Sequence, residues 1–533
     1  MESTSCDVLV IGSGAAGLRA AIAAREAGCE VIVVSKAKPG KATCTGLSAG
    51  VIAGSCDERS SAAHFRNTLA SGRGLNQGEL VETLVRDAPR RLGELMDWGI
   101  QGKMMAGYVF AQGRAPVMGE AIVHCLLKKS EELGARLVGG LVAADLAAEG
   151  GAWGANLLKP ATGEWVSITA GAVVLASGGA GALYLRNNNP KRIVGDGWRL
   201  ALEAGAVLQD LEFVQFFPLG LAEPGIRAMV VPPKLADRGL LVNKSGQDVL
   251  KKYGIEERPA GEKARDRLAR ALFTELYREG ETVYADLRSE TDIWSPDPFS
   301  AAVRHILGER YGALERPMRV APVAHHTMGG VCIDPAGATS VAGLFAAGEV
   351  TGGVHGANRL GGNALCDTLV FGAQAGTSAA QWAKNASRGG PALRDRLEAQ
   401  RARWDARAVP PEDSLETLQK LMWEDGGVLR NRQGLVRARE NIKEMMERVG
   451  GRDSGRAAPD PAKAVEFFSA AKAAGLIVDA ALRREESRGS HFREDFPNQD
   501  DGNWRGHLQV QAAPDGEPAW NFRPEKEPPA GDA

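Results

Sequence analysis

GLFAAGEVTGGVHGANRLGGNALCDTLVFG, residues 343–372, is the stretch on which the reading of the whole chain turns. Glycine recurs through it, which lets a backbone pass close to a flat ligand and take φ > 0 where a turn needs it. Among the glycines stand a few groups able to bind charge or do chemistry: Glu349, His355, Asn358, Arg359, Asn363 and Asp367. Taken alone, the stretch also reads as a glycine-rich surface loop. Its flanks argue for more, because residues 343–348 read as a short buried strand entering a turn and residues 365–375 as the start of a helix. Strand, glycine turn and helix is how α/β folds present backbone N–H groups to a cofactor.

The same punctuation opens the chain. CDVLVIGSGAAG, residues 6–17, is an apolar strand followed by Gly12-Ser13-Gly14-Ala15-Ala16-Gly17. A lone G-x-G-x-x-G is weak, but here a helix over 18–27 and a second strand over 30–34 supply the required context. Such a helix N-terminus holds a pyrophosphate through its N–H groups and dipole. The acidic residue that often closes the second strand is replaced by Ser35-Lys36. A further buried strand with a glycine turn lies at 169–181, ending in Ser177, Gly178 and Gly179.

VHGANRLGGNALCDTLVFG (354–372) resembles the flavoprotein subunits of the fumarate reductase and succinate dehydrogenase family, which includes L-aspartate oxidase. In that family the second strand also tends to end in Ser-Lys. The resemblance implies an α/β protein: a Rossmann-like FAD-binding domain (1–211 and 323–375) with an inserted α+β capping domain (212–322). A helical domain (376–485) and a short C-terminal region (486–533) follow. KAKPGKATCTGLSAGVIAG (36–54) resembles the loop along the flavin, which brings in Thr43, Thr45 and Gly50. Many members carry a flavin-linked histidine there, whereas this chain has none before His64, so the resemblance implies non-covalent FAD. Cys44 sits beside the missing histidine; a small unlinked residue is the preferred reading and a cysteinyl–flavin bond the alternative. In the family, loss of the covalent bond goes with a flavin suited to reducing fumarate.

Further matches fill in the cofactor site. Residues 79–135 read as helical, and 136–145 as a strand whose backbone near Val142 meets the adenine. Gly195-Asp196-Gly197 resembles the family's G-D-G, whose aspartate touches the cofactor; a helix N-cap is the plainer reading. Glu349 matches an FAD-contacting glutamate, and Ala364-Leu365 match backbone contacts to the ring system.

Reducing a C=C bond beside a carboxylate needs a hydride source, cations to hold the carboxylate, and a proton for the other carbon. By resemblance His325, first of H-H-T-M-G-G where members show H-Y-T-M-G-G, and Arg359 form the carboxylate clamp. An arginine fork binds a carboxylate in two places. Arg265, in A-R-D-R-L-A-R, matches the proton donor, although spacing alone makes it one charge on a solvated helix. Its high pKa requires a relay.

The departures concern the other half of the substrate. Where the family has Q-F-H-P-T, this chain has Gln215-Phe216-Phe217-Pro218-Leu219. The family's T-E-G-x-R aligns with Val231-Pro232-Pro233-Lys234-Leu235, which removes a threonine and the relay. A second carboxylate buried against Phe217, Leu219 and Val231 lacks a partner, at a cost of several kcal/mol. Lys234, Asp237 and Arg238 are the candidates to replace it. The sequence therefore points to an acid with a less polar far end. L-aspartate oxidase is the alternative, supported by LMWEDGGVLRNRQGL at 421–435, and an FAD-containing electron-transfer subunit without its own turnover is a third.

Composition limits the partners. At 533 residues the chain is too long for one core, and its 64 basic and 66 acidic residues suggest neither nucleic acid nor an anionic membrane. The seven cysteines are scattered with no C-x-x-C pair, so no metal or iron–sulfur cluster is expected, and they read as reduced cytoplasmic thiols. No leader sequence and no uncharged apolar run long enough to span a membrane appears. A separate iron–sulfur subunit or a soluble donor is expected to supply electrons, with any attachment to the inner membrane made through other subunits. SRGSHFREDFPNQDDGNW (487–504) resembles the C-terminal motif of succinate dehydrogenases, and the last twenty residues read as a loose tail.

Overall fold

The computed structural model describes the chain apart from residues 1–2, 55–57, 106, 114–116, 226–228, 232–234, 239, 289–303, 311, 313–314, 406, 451–459 and 526–533. Its centre is a parallel sheet in which Ser3–Ile11 lies between Val31–Ser35 and Glu164–Leu175. Arg136–Gly139 extends it beyond Val31–Ser35, and Leu344–Ala346 pairs with the far end of Glu164–Leu175. Ala152–Lys159 and Val142–Glu149 add antiparallel strands. The strands are continuous apolar runs because helices cover the sheet. Ala15–Glu26 packs on Asn363–Ala383, and glycine sets their separation: a Cβ at Gly376 would lie 2.2 Å from the carbonyl oxygen of Ala20. Both helices begin two or three residues earlier than their apolar patterns suggest.

Three expectations need correction. Residues 79–135 are not helical throughout. After Gly78–Asp97 the chain forms a hairpin, Gly102–Met105 with Tyr108–Ala111, before the helix Gly119–Glu132. Gly99 and Gly107, at φ 102° and 80°, stop the helix and make the turn, and Tyr108-Val109-Phe110 suits a strand. The strand expected over 136–145 breaks at Gly140 (φ 76°) into two strands on opposite edges of the sheet. The expected tail is also ordered in part, because Pro518–Pro524 pairs with Gly506–Ala512 around Gly516 (φ 86°). Trp520 and Phe522 give that segment strand character; the rest of the tail, 526–533, lies outside the described residues.

Above the main sheet stands a second one, ordered Val214–Leu221, Met318–Thr327, Val283–Asp286 and Leu240–Asn243. It has its own apolar cluster, including Leu219, Val231, Leu268, Leu272 and Val320. The helix Arg265–Phe273 packs on the inner strand Val214–Leu221. Four longer helices, Pro391–Asp405, Ser414–Glu424, Arg432–Gly450 and Pro461–Arg483, follow. The C-terminal segment is tied back by buried ions: Arg484 pairs with Glu212 and Glu486, and His507 with Asp210. Among the described residues no helix is long and apolar enough to cross a membrane.

Candidate active site

A cavity of about 450 Å³ opens at the carboxyl ends of the parallel strands, lined by Gly12, Ser35 and Ala176 from three of them. Cofactors bind at such a place in open α/β sheets. The three fingerprint glycines do different jobs. A Cβ on Gly12 would stand 2.1 Å from the Ala176 carbonyl oxygen, and one on Gly17 1.9 Å from that of Gly12, so both are fixed by packing. A Cβ on Gly14 would meet nothing nearer than 3.8 Å; here glycine keeps the cavity wall open instead. No side chain caps the helix Ala15–Glu26, whose first N–H donates to Thr45 Oγ1 at 3.2 Å. The Gly40 N–H donates to Ser13 Oγ at 3.0 Å, and Thr43 caps the short helix Cys44–Leu47. Ala16 and Gly178 also line the cavity, and Gly50, at φ 67°, packs against Met118.

Lys36 crosses the cavity to Asp196 (2.9 Å) and to the Arg192 carbonyl (3.0 Å). Asp196 caps no helix, since Gly195 occupies the N-cap, which disposes of the plainer reading. Leu141 and Ala143 line the cavity, while the Val142 side chain packs on the opposite side in a cluster with Trp404. Cys44 Sγ stands 3.1 Å from Asn189 Oδ1. At the far end Ala364 and Leu365 lie in the first turn of Asn363–Ala383, which also lacks a side-chain cap. Ser177 Oγ, His326 Nε2 and both ring nitrogens of His355 are buried without a hydrogen-bond partner among the described residues. Buried polar atoms rarely stay so, and these line the path that a dinucleotide with a flat ring system would take. The residues fit FAD.

Glu349 Oε1 accepts from the Thr327 N–H at 3.0 Å and lies 3.5 Å from His326 Nδ1. His326 stacks edge-on against His355 (5.3 Å), which faces Asp367 at 3.7 Å. Gly179 passes so close that a Cβ there would be 2.4 Å from Glu349 Oε1. Burial pushes the Glu349 carboxyl up from 4.5 to about 7, against the pull of the Thr327 N–H and of Arg359. A folded-state pKa raised this way means the fold resists ionisation. The cofactor-free protein should therefore lose about 3 kcal/mol between pH 4.5, where the unfolded chain ionises, and pH 7, where the folded one does. Thermal unfolding across that window checks it: Glu349→Gln should flatten the slope, and an unchanged slope would refute the assignment.

Arg359 is buried, with Nη2 on Gln215 Oε1 at 3.0 Å and Nη1 on the Leu360 carbonyl at 3.2 Å. Burial and the nearby Arg265 lower its pKa to about 10, which leaves it charged at neutral pH. Arg265 reaches over from the second sheet's helix, and its Nη1 donates to the Arg359 carbonyl at 3.3 Å. His325 lies 3.1 Å from Asn188 through Nδ1. Burial, Arg359 and Arg265 push its pKa well down, so His325 enters as a neutral hydrogen-bonding group and the arginines carry the charge. The structure thus brings together His325, Arg359 and Arg265, as the sequence suggests. Two guanidiniums and a neutral imidazole suit a carboxylate.

The opposite wall is apolar. Phe217 packs against the His325 ring at 5.6 Å, and Phe217, Leu219 and Val231 share one apolar cluster with Ala264 and Leu268. Asp237 is engaged elsewhere, accepting from the Ala260 N–H at 2.7 Å and facing Arg258 at 3.5 Å. Lys234 and the Arg238 side chain lie outside the described residues. Sequence reasoning passed over Gln215, Asn358 and Asp266, which join Arg359 to the helix of Arg265. The available signal was Gln215, a polar residue inside the apolar strand VQFFPLGL.

Residues 7–365 match the family described as FAD binding domain, and residues 415–527 the one described as fumarate reductase flavoprotein C-term. The chain is 37% identical over 527 residues to the large flavin-family polypeptide of the fumarate reductase (CoM/CoB) of Methanothermobacter marburgensis, covering 93% of this chain and 95% of that one. It is 33% identical over 541 residues to the L-aspartate oxidase of Streptomyces coelicolor, covering 96% and 92%. Its fold superimposes with a TM-score of 0.86 on a mutant FrdA chain of the E. coli quinol fumarate reductase, at 29% identity and with both chains wholly covered.

Proposed function

The chain belongs to the fumarate reductase and succinate dehydrogenase flavoprotein family, and from that premise we propose a non-covalent FAD oxidoreductase that reduces the C=C bond of an acid with one carboxylate and an apolar far end. FAD and action on CH–CH bonds come with the family; the manner of binding and the substrate are our reading. When bound, the flavin supplies hydride chemistry at its N5. The pyrophosphate would lie on the helix N-terminus at Gly14–Ala16, with Lys36 and Asp196 at the nucleoside end and Ala364–Leu365 at the ring end. Arg359 and the neutral His325 hold the carboxylate, and Arg265 stands where a proton can be handed to the substrate. Division of the chain at 211/212, 322/323, 375/376 and 485/486 accords with this reading, with the second sheet as the cap.

The observation that carries the substrate is Phe217 against His325. Two aromatic and aliphatic walls leave a second carboxylate without a charged donor among the described residues there. FAD-loaded, reduced protein should be reoxidised faster by aryl- or alkyl-acrylates than by fumarate; fast turnover of fumarate would refute the reading. Phe217→His is expected to raise kcat/KM for fumarate about tenfold, the worth of one hydrogen bond to a charged group, and to lower it for the aryl acid. Steady-state rates on the two acids check this.

A second reading, L-aspartate oxidase, is favoured by the Streptomyces coelicolor relative. Peroxide formation from L-aspartate would establish it. With no C-x-x-C pair in the sequence, electrons come in this account from a separate iron–sulfur subunit or a soluble donor. The six described cysteines are free thiols, which suits work in the cytoplasm, with membrane attachment, where it occurs, left to other subunits.

A further inference from the structure

Asp266 lies outside every role assigned so far. It is the second residue of the cap helix Arg265–Phe273, and its Oδ2 accepts from Asn358 Nδ2 at 2.8 Å. Asn358 directly precedes Arg359. Its Oδ1 accepts from Gln215 Nε2 at 2.7 Å, while Gln215 Oε1 accepts from Arg359 Nη2 at 3.0 Å. A continuous chain of side chains therefore runs from the cap helix to the guanidinium. Beside it Arg265 Nη1 donates to the Arg359 carbonyl. Two successive cap residues thus grip two successive residues of the 343–372 stretch.

The charges explain why a carboxylate belongs there. Arg265 and Arg359 bear on one another, and like charges in a water-poor site repel. Glu349 and Asp367 offset Arg359 from the flavin side. On the cap side Asp266 faces Arg265, Arg270 and Arg73, while His325 stays neutral between Arg359 and Arg265. An acid in the first turn of a helix is ordinarily read as a partner of the helix dipole. That does not account for a bond to Asn358 across the boundary between the two sheets.

We propose that Asp266 is a positioning residue that docks the cap onto the clamp. Its bond to Asn358 fixes where Arg265 stands and, through Gln215, how Arg359 is aimed. Closing the cap and assembling the clamp are then one event. The inference rests on the reading above, in which an acid is held between these arginines.

The test uses FAD-loaded protein titrated with cinnamate, with acid binding read from the flavin absorption spectrum. Asp266→Ala and Asn358→Ala should each raise the Kd for cinnamate about tenfold, or about 1.4 kcal/mol, with FAD affinity unchanged. The double variant should bind no more weakly than either single one, because both remove the same contact. Wild-type affinity in either single variant overturns the proposal. So does an additive loss of about a hundredfold in the double. If Asp266→Ala does not retain FAD, Asp266→Asn is read in its place, with the same direction expected from loss of the charge. A wild-type flavin spectrum indifferent to cinnamate, crotonate and fumarate alike overturns the reading of the site itself, and this inference with it.

Discussion

Replacing Arg359 with lysine is expected to lower kcat/KM for an aryl- or alkyl-acrylate about a thousandfold while FAD stays bound. The loss follows from what the guanidinium does. Its Nη2 is committed to Gln215 and its Nη1 to the Leu360 carbonyl, so the fork is held in one orientation before any acid arrives. A lysine has a single ammonium on a flexible stem and cannot span both anchors while also meeting a carboxylate. Burial beside Arg265 would also push its proton off, since desolvation and a like charge both disfavour the cationic form. The conservative substitution should therefore behave almost like Arg359→Ala. Steady-state kinetics with FAD content measured in parallel tests this, and a fall of less than tenfold would show that another group binds the acid.

The second large effect concerns the cofactor. Gly12→Ala should abolish FAD binding and destabilise the protein, because the added Cβ would lie 2.1 Å from the Ala176 oxygen at φ 120°. Both are backbone constraints at the ends of paired strands, and neither can give way. Gly14→Ala is expected to separate the two consequences. Its Cβ meets nothing nearer than 3.8 Å at an extended ψ, so the protein should melt as the wild type does. The methyl group nevertheless enters the wall where the pyrophosphate would lie, and FAD affinity should fall about a hundredfold. FAD titration and thermal unfolding of both variants check this. Equal FAD affinity in Gly14→Ala and wild type would place the cofactor elsewhere.

The cofactor-binding parts were legible because their signals are local. A parallel strand buried on both faces reads as an unbroken apolar run, and the glycines that follow Ile11 and Leu175 announce the turn. The hairpin after Asp97 was not legible, since Gln101 to Met105 has no alternation and short strands look like helix ends in a charged context. The clamp could be recognised from short motifs around His325 and Arg359. The chain that aims it could not, because Asn358 meets Asp266 across 92 residues and Gln215 across 143. Nothing in the sequence near Asp266 distinguishes it from an ordinary acid at a helix start. The neutral state of His325 was hidden for the same reason, as it depends on two arginines brought in from elsewhere.

Everything proposed for this protein depends on one arrangement, a flavin in the cavity at the strand ends with an organic acid held over it by Arg359 and Arg265. The most direct measurement is anaerobic stopped-flow mixing of FAD-loaded, chemically reduced protein with cinnamate, crotonate or fumarate. The oxidised flavin band should return with the acids that have apolar far ends, faster than with fumarate, and should not return in Arg359→Ala. A flavin that stays reduced with every acid, or protein that takes up no FAD at all, would contradict it.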